Sequence, residues 1–470
     1  MPPLPRCNWR GSDAAVRSRY PSDCLRALRM VTAQDVNAAD LESARTWSLE
    51  RGLFALTILL LVMAGLTGGG SRDRGWGDAL TQLLAWPVLL LAVWQMTATP
   101  AGSRVPRVPV VVATVVPILI ASQWILGFTS TPWATERALW AIMPGVAIFL
   151  AALALPRARQ VRLAAVCIGL AVLSLVLGYL QLGAPQDSLL NPFPEFRPAL
   201  NGLFANPNHQ GTLIAIALVL VLSWIFGLPG RRSDKEGTSR GTAFQVLGIA
   251  LFCFLLVGLP LTASRAAVII ASAALVAVPV CNGWLTRRLR APGQRRVGVV
   301  AAMAAGILGA VLLAVTANWV KVDVNEESRI AVAKETARQA FDASPSGTGI
   351  GSFVPWFEAN APGHLIQGEY FNHAHNEYVQ WWLEAGVAGL IWFALLLVGA
   401  WWTRPRGSIQ GRPDWLWVGS WMAVVVVLCH SAADYPLRTP ALMTVAAALA
   451  GVAVSATTRR VVERRTRRAE

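Results

Sequence analysis

Two histidines two positions apart, His373 and His375, open the stretch H-A-H-N-E-Y-V-Q-W-W-L-E at the edge of a long apolar run. Beside Asn376 and Glu377, an imidazole suits proton abstraction or an N–H contact to a phosphate. An i, i+2 histidine pair can also chelate a metal, but no third and fourth ligand has suggestive spacing. No metal and no cofactor is therefore expected. Glu384 follows Glu377 by one heptad on the same helical face and is the sole formal charge inside any apolar run. It marks a site, or it is a buried carboxylate that holds an arginine.

A second polar stretch, N-P-F-P-E-F-R-P-A-L-N-G-L-F-A-N-P-N-H-Q-G, runs from Asn191 to Gly211. Asn206, Pro207 and Asn208 are good helix-start residues. With His209 they form either a cap or a substrate-contacting turn. Arg197, between Phe196 and Pro198, has only Glu195 as a near carboxylate and fits an anionic ligand or a lipid headgroup. Arg265 ends the turn L-T-A-S-R-A-A, where it either snorkels to an interface or, with Ser264, opens a helix whose N-terminus favours an anion. Two arginines and a helix start make a diphosphate clamp.

Between these stretches, N-E-E-S-R-I-A-V-A-K-E-T-A-R-Q-A-F places Ile330, Ala333, Ala337, Ala340 and Phe341 on one helical face and Arg329, Lys334 and Arg338 elsewhere. An amphipathic helix lying on a membrane face is expected. Gly347, Gly349 and Gly351 match neither G-x-G-x-x-G nor G-x-x-x-x-G-K, so they predict a turn rather than a phosphate loop.

The elements that must position these residues span a membrane. The 470 residues are 54% hydrophobic and 14% charged, well short of the roughly 25% charge of a soluble chain. Uncharged runs of about 20 residues, the length a spanning helix needs, predict twelve spans: 52–70, 79–98, 108–128, 138–156, 163–183, 210–229, 243–262, 266–286, 297–320, 378–403, 415–433 and 439–458. The fold expected is an all-α polytopic membrane protein with a large outer loop. Trp76, Trp133, Trp140, Trp319, Trp381, Trp402 and Trp415, near span ends, read as interface anchors. Six cysteines without a C-x-x-C pair indicate neither a disulfide framework nor a zinc site.

A net charge of +15 suggests nucleic acid in a soluble protein; here its distribution answers a different question. Counting from an inside N-terminus, the alternate segments 1–51, 99–107, 157–162, 230–242, 287–296, 404–414 and 459–470 hold 31 of the 41 Lys and Arg. The positive-inside rule therefore puts both termini in the cytoplasm, and no nucleic-acid partner is expected. The chain then divides into a cytoplasmic tail (1–51) with no predicted fold, nine spans (52–320), an outer loop with its amphipathic helix (321–377), three spans (378–458) and a basic tail (459–470). The stretch before Met30 has no hydrophobic period, so either it is a disordered cytoplasmic tail or the natural start is Met30, and the second reading is favoured. His209, His364, His373 and His375 all fall in outer segments, with His430 near the outer end of the eleventh span. The chemistry faces outward.

Taken together, R-P-x-L-N-G-x-F-x-N-P-N, then S-R-A, then S-R with a helix and G-x-G-x-G-x-F, then H-A-H-N-E-Y-x-Q-x-x-x-E-x-G-x-x-G-L and H-S-A-A-D-Y-P-L resemble the O-antigen ligase family. Its superfamily also holds Wzy-type polysaccharide polymerases and protein O-oligosaccharyltransferases. The resemblance covers about residues 50–456 and is most specific in H-x-H-N. It implies an inverting C-type glycosyltransferase of the bacterial cytoplasmic membrane, moving a glycan from undecaprenyl diphosphate to a glycan or lipid acceptor on the periplasmic side. Carried over residue by residue, it implies catalytic roles for His375, Arg265 and Arg197. Substrate contacts are expected from Asn206, Asn208, His209, Arg329, His373, Asn376 and Glu384, with membrane lipids as the remaining partner. Two departures stand out: the N-terminal tail has no counterpart, and D-Y-P-L-R looks more like the polymerase and oligosaccharyltransferase branches.

The residues support that implication on their own terms. An outer-face reaction cannot draw on cytoplasmic ATP, so its donor must arrive activated, and a lipid diphosphate leaves with help from cationic side chains alone. The rival class is a polytopic transporter or flippase for lipid-linked glycan. It calls for two similar halves, a long central cytoplasmic loop and ionisable groups at the midplane, whereas the central loop 230–242 is short and the long loop comes late and outside.

Overall fold

The computed structural model describes residues 49–70, 75–98, 107–185, 187–193, 200–228, 238–283, 324–366, 370–406 and 414–469, without side chains at 238–240, 324–327 and 462–469. The chain divides into two units, 1–52 and 53–470. The first is described only over 49–52, and the helical bundle belongs to the second.

Among the described residues the regular structure is entirely helical, and nine helices are long and apolar enough to cross a membrane. These are α1 (Leu49–Thr67), α2 (Trp76–Ala98), α3 (Arg107–Ile125), α4 (Pro132–Ala154), α5 (Arg157–Gln181), α6 (Pro207–Gly227), α7 (Thr238–Leu261), α12 (Glu377–Trp402) and α14 (Pro440–Ala469). Two shorter apolar helices, α8 (Arg265–Cys281) and α13 (Trp415–His430), complete the set. Eleven of the expected spans thus have a helix; the span 297–320 and Trp319 lie outside the described residues.

The centre of the bundle is α6 and α14, whose apolar windows are 72% and 78% buried. α6 packs on α5, α7, α8 and α13, and α14 packs on α4 and α13. Close approach rests on small residues, as it must where lipid tails are as apolar as the side chains and only packing favours helix contact. A Cβ on Gly451 of α14 would stand 2.6 Å from the Phe149 carbonyl oxygen of α4.

The two ends of the bundle are distinct. One end ties Arg157 to Asp414 and Arg459 to Gln160, and receives the Trp417 indole N–H on the Thr403 carbonyl at 2.9 Å. The other end gathers Gly68 and Gly69 after α1, residues 129–131, 200–209, 343–352, 373–377 and 430–441. There Ala441 N donates to Gly68 O at 3.0 Å and Ala205 N to Gly69 O at 3.2 Å.

The long loop folds as α9 (Val324–Asp342), α10 (Phe353–Asn360) and the single turn α11 (Gly363–Ile366), with a small core of its own formed by Val332, Ala340, Phe353, Phe357, Ala374 and Leu383. α9 is a helix on the segment where an amphipathic one is expected, but its buried stripe is Val332, Thr336 and Ala340, while Ile330 and Phe341 are exposed. The small and β-branched residues approach α12 closely, and the two bulky ones are left to the surface. Trp381 also departs from expectation: it is buried, stacked on Trp392 with ring centroids 4.8 Å apart.

α12 is broken. Gly386 has φ 59° and ψ −144°, a conformation open in practice only to glycine. The S-P-S-G-T-G turn fills the break. Thr348 N and Gly349 N donate to the carbonyls of Leu383 and Glu384 at 2.9 Å each, and Val387 N donates to Pro345 O at 3.0 Å. Gln123 of α3 adds its Nε2–H to the Glu384 carbonyl at 3.0 Å. Carbonyls stranded by a broken helix inside an apolar bundle need such donors. The glycine turn therefore serves α12, and Glu377–Ala385 becomes a short half-helix aimed at one end of the bundle.

Candidate active site

The half-helix of α12 starts at Asn376, whose Oδ1 accepts from Val379 N at 3.2 Å and whose Nδ2 donates to Ala432 O at 3.0 Å. Glu377 N donates to Ser431 O at 2.8 Å, and the Glu377 carboxylate accepts from Leu437 N at 2.6 Å. These bonds lay the H-A-H-N turn onto the H-S-A-A-D-Y-P-L turn between α13 and α14. His375, at φ 51°, is one of two non-glycine residues at positive φ among those described. Backbone strain of this kind persists only where the surroundings over-determine it.

Asp434 is the centre that results. It is fully buried, and its Oδ2 accepts from Asn208 Nδ2 at 2.6 Å and Asn206 Nδ2 at 3.1 Å. Its Oδ1 accepts from Tyr435 N at 2.9 Å and faces His375 Nδ1 at 3.3 Å and His209 Nε2 at 3.9 Å. Burial alone pushes this carboxyl up; the His375 ring beside it, with His209 and Arg329, outweighs burial and holds it well below the usual carboxylate range. The Tyr435 ring lies 4.3 Å from His373, 4.9 Å from His209 and 5.0 Å from His375, centroid to centroid. Burial, followed by Asp434, pushes its phenol up to about 12, so it stays neutral. His430 completes the group from α13, its Nδ1 2.6 Å from Thr212 Oγ1.

Four of the five histidines therefore converge on one buried anion. His364, on α11, acts electrostatically on Glu335 instead. Asn206 is the N-cap of α6, its Oδ1 accepting from Asn208 N at 2.9 Å. Cap and site are the same residues: the oxygen starts the helix and the amide N–H reaches Asp434. Arg329, half-exposed on α9, lies close enough to act electrostatically on Asp434, His209, His430 and Tyr435. Arg265 is half-exposed in the first turn of α8, after the Ser264 cap. Arg197 lies outside the described residues. Glu384 is buried: its Oε2 accepts from Arg438 Nη2 at 2.7 Å, and its Oε1 from Gln380 Nε2 at 3.1 Å and Phe353 N at 3.3 Å. It holds an arginine, and that arginine is Arg438. Among the described residues no group of three or more His, Cys, Asp or Glu has a metal-holding arrangement.

Sequence reasoning did not place Asp434, Tyr435, Gln380 or Thr212 in the site. Asp434 had two available signals: it sits in the H-S-A-A-D-Y-P-L stretch that carries the resemblance, and it follows His430 by four positions between two spans.

Fold and site together define the class: an all-α, multi-pass membrane protein with a histidine-lined carboxylate at one end of its bundle. Residues 249–394 match the family model described as O-antigen ligase, and this shows the resemblance to the O-antigen ligase superfamily. That superfamily is one of ligase- and polymerase-like membrane enzymes acting on glycans. No curated protein matches the chain. The matched segment holds Arg265, Arg329, His373, His375 and Glu384; Asp434, Asn206, Asn208 and His209 reach the site from either side of it.

Proposed function

We propose that this protein transfers a glycan from a lipid diphosphate, undecaprenyl diphosphate, to a hydroxyl of a glycan or lipid acceptor on the periplasmic face. The observation that carries the reading is the pair formed by His375 and the ionised, buried Asp434. His375 Nδ1 lies 3.3 Å from the carboxylate, and a proton placed there leaves Nε2 with the lone pair of a general base. The acceptor oxygen attacks the anomeric carbon and its proton passes to His375 Nε2. The bond from that carbon to the diphosphate oxygen breaks with inversion, and the electron pair leaves with the diphosphate. Arg329 and Arg265, with Arg197, are the cations proposed to meet that charge.

An apolar cavity of about 450 Å³ supports a lipid-borne substrate. Val116, Ile120, Gly145, Trp392 and Met443 line it, and Arg438 lies in its wall, joining it to the site through Glu384.

Purified protein in lipid vesicles, given a lipid-diphosphate glycan and an acceptor, is expected to transfer glycan undiminished in excess chelator. Loss of transfer that one particular divalent cation restores would move His373 and His375 into a metal site and overturn this account of the chemistry. In a deletion strain, accumulated single repeat units mark a polymerase and accumulated long lipid-linked chains mark a ligase.

A further inference from the structure

His373 shares the Tyr435 ring with His375, yet its polar contacts differ. Its Nδ1 is 3.1 Å from Gln380 Nε2. The orientation of that amide is fixed from both sides. Gln380 Oε1 accepts the Ala374 backbone N–H at 3.1 Å, and a backbone N–H can only donate. The Glu384 Oε1 that Gln380 Nε2 reaches at 3.1 Å already accepts the Phe353 N–H, while its partner oxygen is held by Arg438. Gln380 thus presents its two N–H bonds to Glu384 and to His373, and His373 Nδ1 must be the acceptor.

A neutral imidazole that accepts at Nδ1 carries its proton on Nε2. Burial of the ring, ahead of the nearby Arg438 guanidinium, holds His373 well below the usual histidine range, so it is neutral at physiological pH. Its Nε2 is shielded from solvent and has no hydrogen-bond partner among the described residues. A shielded N–H without an acceptor costs free energy unless something supplies one.

We propose that Gln380 is a positioning residue: through the chain Arg438–Glu384–Gln380 it holds His373 as a neutral Nε2–H donor for an anionic oxygen of the substrate. The two histidines of H-A-H then have opposite roles, fixed by opposite partners at Nδ1. His375 faces a carboxylate and keeps a lone pair at Nε2; His373 faces an amide N–H and keeps a proton there. In the transfer reaction, on whose reading this part of the inference rests, the oxygen served is one on the departing phosphate, where negative charge grows.

Two measurements test it. With only five histidines in the chain, ¹⁵N-histidine labelling of the detergent-solubilised protein resolves the tautomers, assigned by single substitution. The His373 signal is expected to be the neutral Nε2–H form, and Gln380→Met is expected to disturb that signal without moving the His430 signal. A wild-type His373 with its proton on Nδ1, or a charged ring at pH 7, overturns the proposal, and neither outcome depends on any activity.

The second measurement is transfer. His373→Gln, whose amide can place an N–H near the Nε2 position, is expected to stay within about fivefold of wild type, and His373→Phe to lose about 10–100-fold, as for a lost charge-assisted hydrogen bond. Gln380→Met should fall between them. Equal loss in folded His373→Gln and His373→Phe overturns the donor role. Wild-type protein that shows the tautomer but transfers no glycan refutes the proposed function instead and leaves the Gln380 assignment standing.

Discussion

Asp434→Asn is expected to lower glycan transfer by about 100-fold or more while the protein still inserts and folds. The carboxylate accepts from two asparagine side chains and one backbone N–H and faces two imidazoles. An amide of the same shape has one oxygen, so one side of the group must present N–H to other N–H donors. Either Asn206 and Asn208 lose their acceptor, or His375 does. Leaving a buried donor unmade costs about 1–3 kcal/mol, which lowers stability without abolishing the fold. The kinetic loss is the larger effect because His375 is then free to adopt the other tautomer and turn a proton toward the acceptor hydroxyl.

Stability against pH depends on the same residue. The folded carboxyl is depressed below its unfolded value of about 3.9. Its stabilisation is therefore fully present above that value and lost as the pH falls through the lower folded value. Acid unfolding of the wild type should show this arm below about pH 4, and Asp434→Asn should remove it. Between pH 5 and 9 Asp434 stays ionised, so a change in transfer rate there belongs to another group.

Gly386→Ala is expected to destabilise the bundle by more than about 3 kcal/mol. Its Cβ would stand 2.0 Å from the Pro345 carbonyl oxygen, and the backbone at φ 59° and ψ −144° refuses a side chain whatever the space. The turn cannot retreat, because its N–H groups satisfy the carbonyls of Leu383 and Glu384. Gly399→Ala in the same helix, where nothing lies within 4 Å of the added carbon, is the control and should be near neutral. Thermal unfolding in detergent, tracked by loss of the monodisperse peak, separates the two. Equal melting temperatures for both variants would mean that the glycine turn does not hold the break in α12.

Most of the architecture was legible because lipid imposes it: each described span announces itself as an apolar run of the right length, uncharged in all but the one that holds Glu384. The break at Gly386 was not legible. A-G-V-A-G keeps the apolar pattern running through it, and only the distant S-P-S-G-T-G turn reveals that the helix stops. The stripe of α9 was misread for a related reason, since Thr336 counts as polar in a pattern but is buried, its hydroxyl donating to Val332 O at 2.7 Å. At the site, His373, His375, Asn206, Asn208 and His209 stood out as polar residues at the mouths of apolar helices. Asp434 did not, because its meaning depends on α6 and α12 meeting over it. Glu384 was visible as the one charge within a span, but its partner, Arg438, comes 54 residues later. Spacing cannot reveal such a pair.

The central claim is that His375 serves the reacting hydroxyl. The direct measurement is single-turnover transfer from a lipid-diphosphate glycan to an acceptor in vesicles, comparing wild type, His375→Ala and His364→Ala at matched amounts of folded protein, with donor binding measured in parallel. His375→Ala is predicted to bind donor normally and lose turnover by about 100-fold or more, as for a lost general base. His364→Ala, on its separate turn beside Glu335, is predicted to match the wild type. A well-folded His375→Ala protein that transfers glycan at the normal rate would contradict the account.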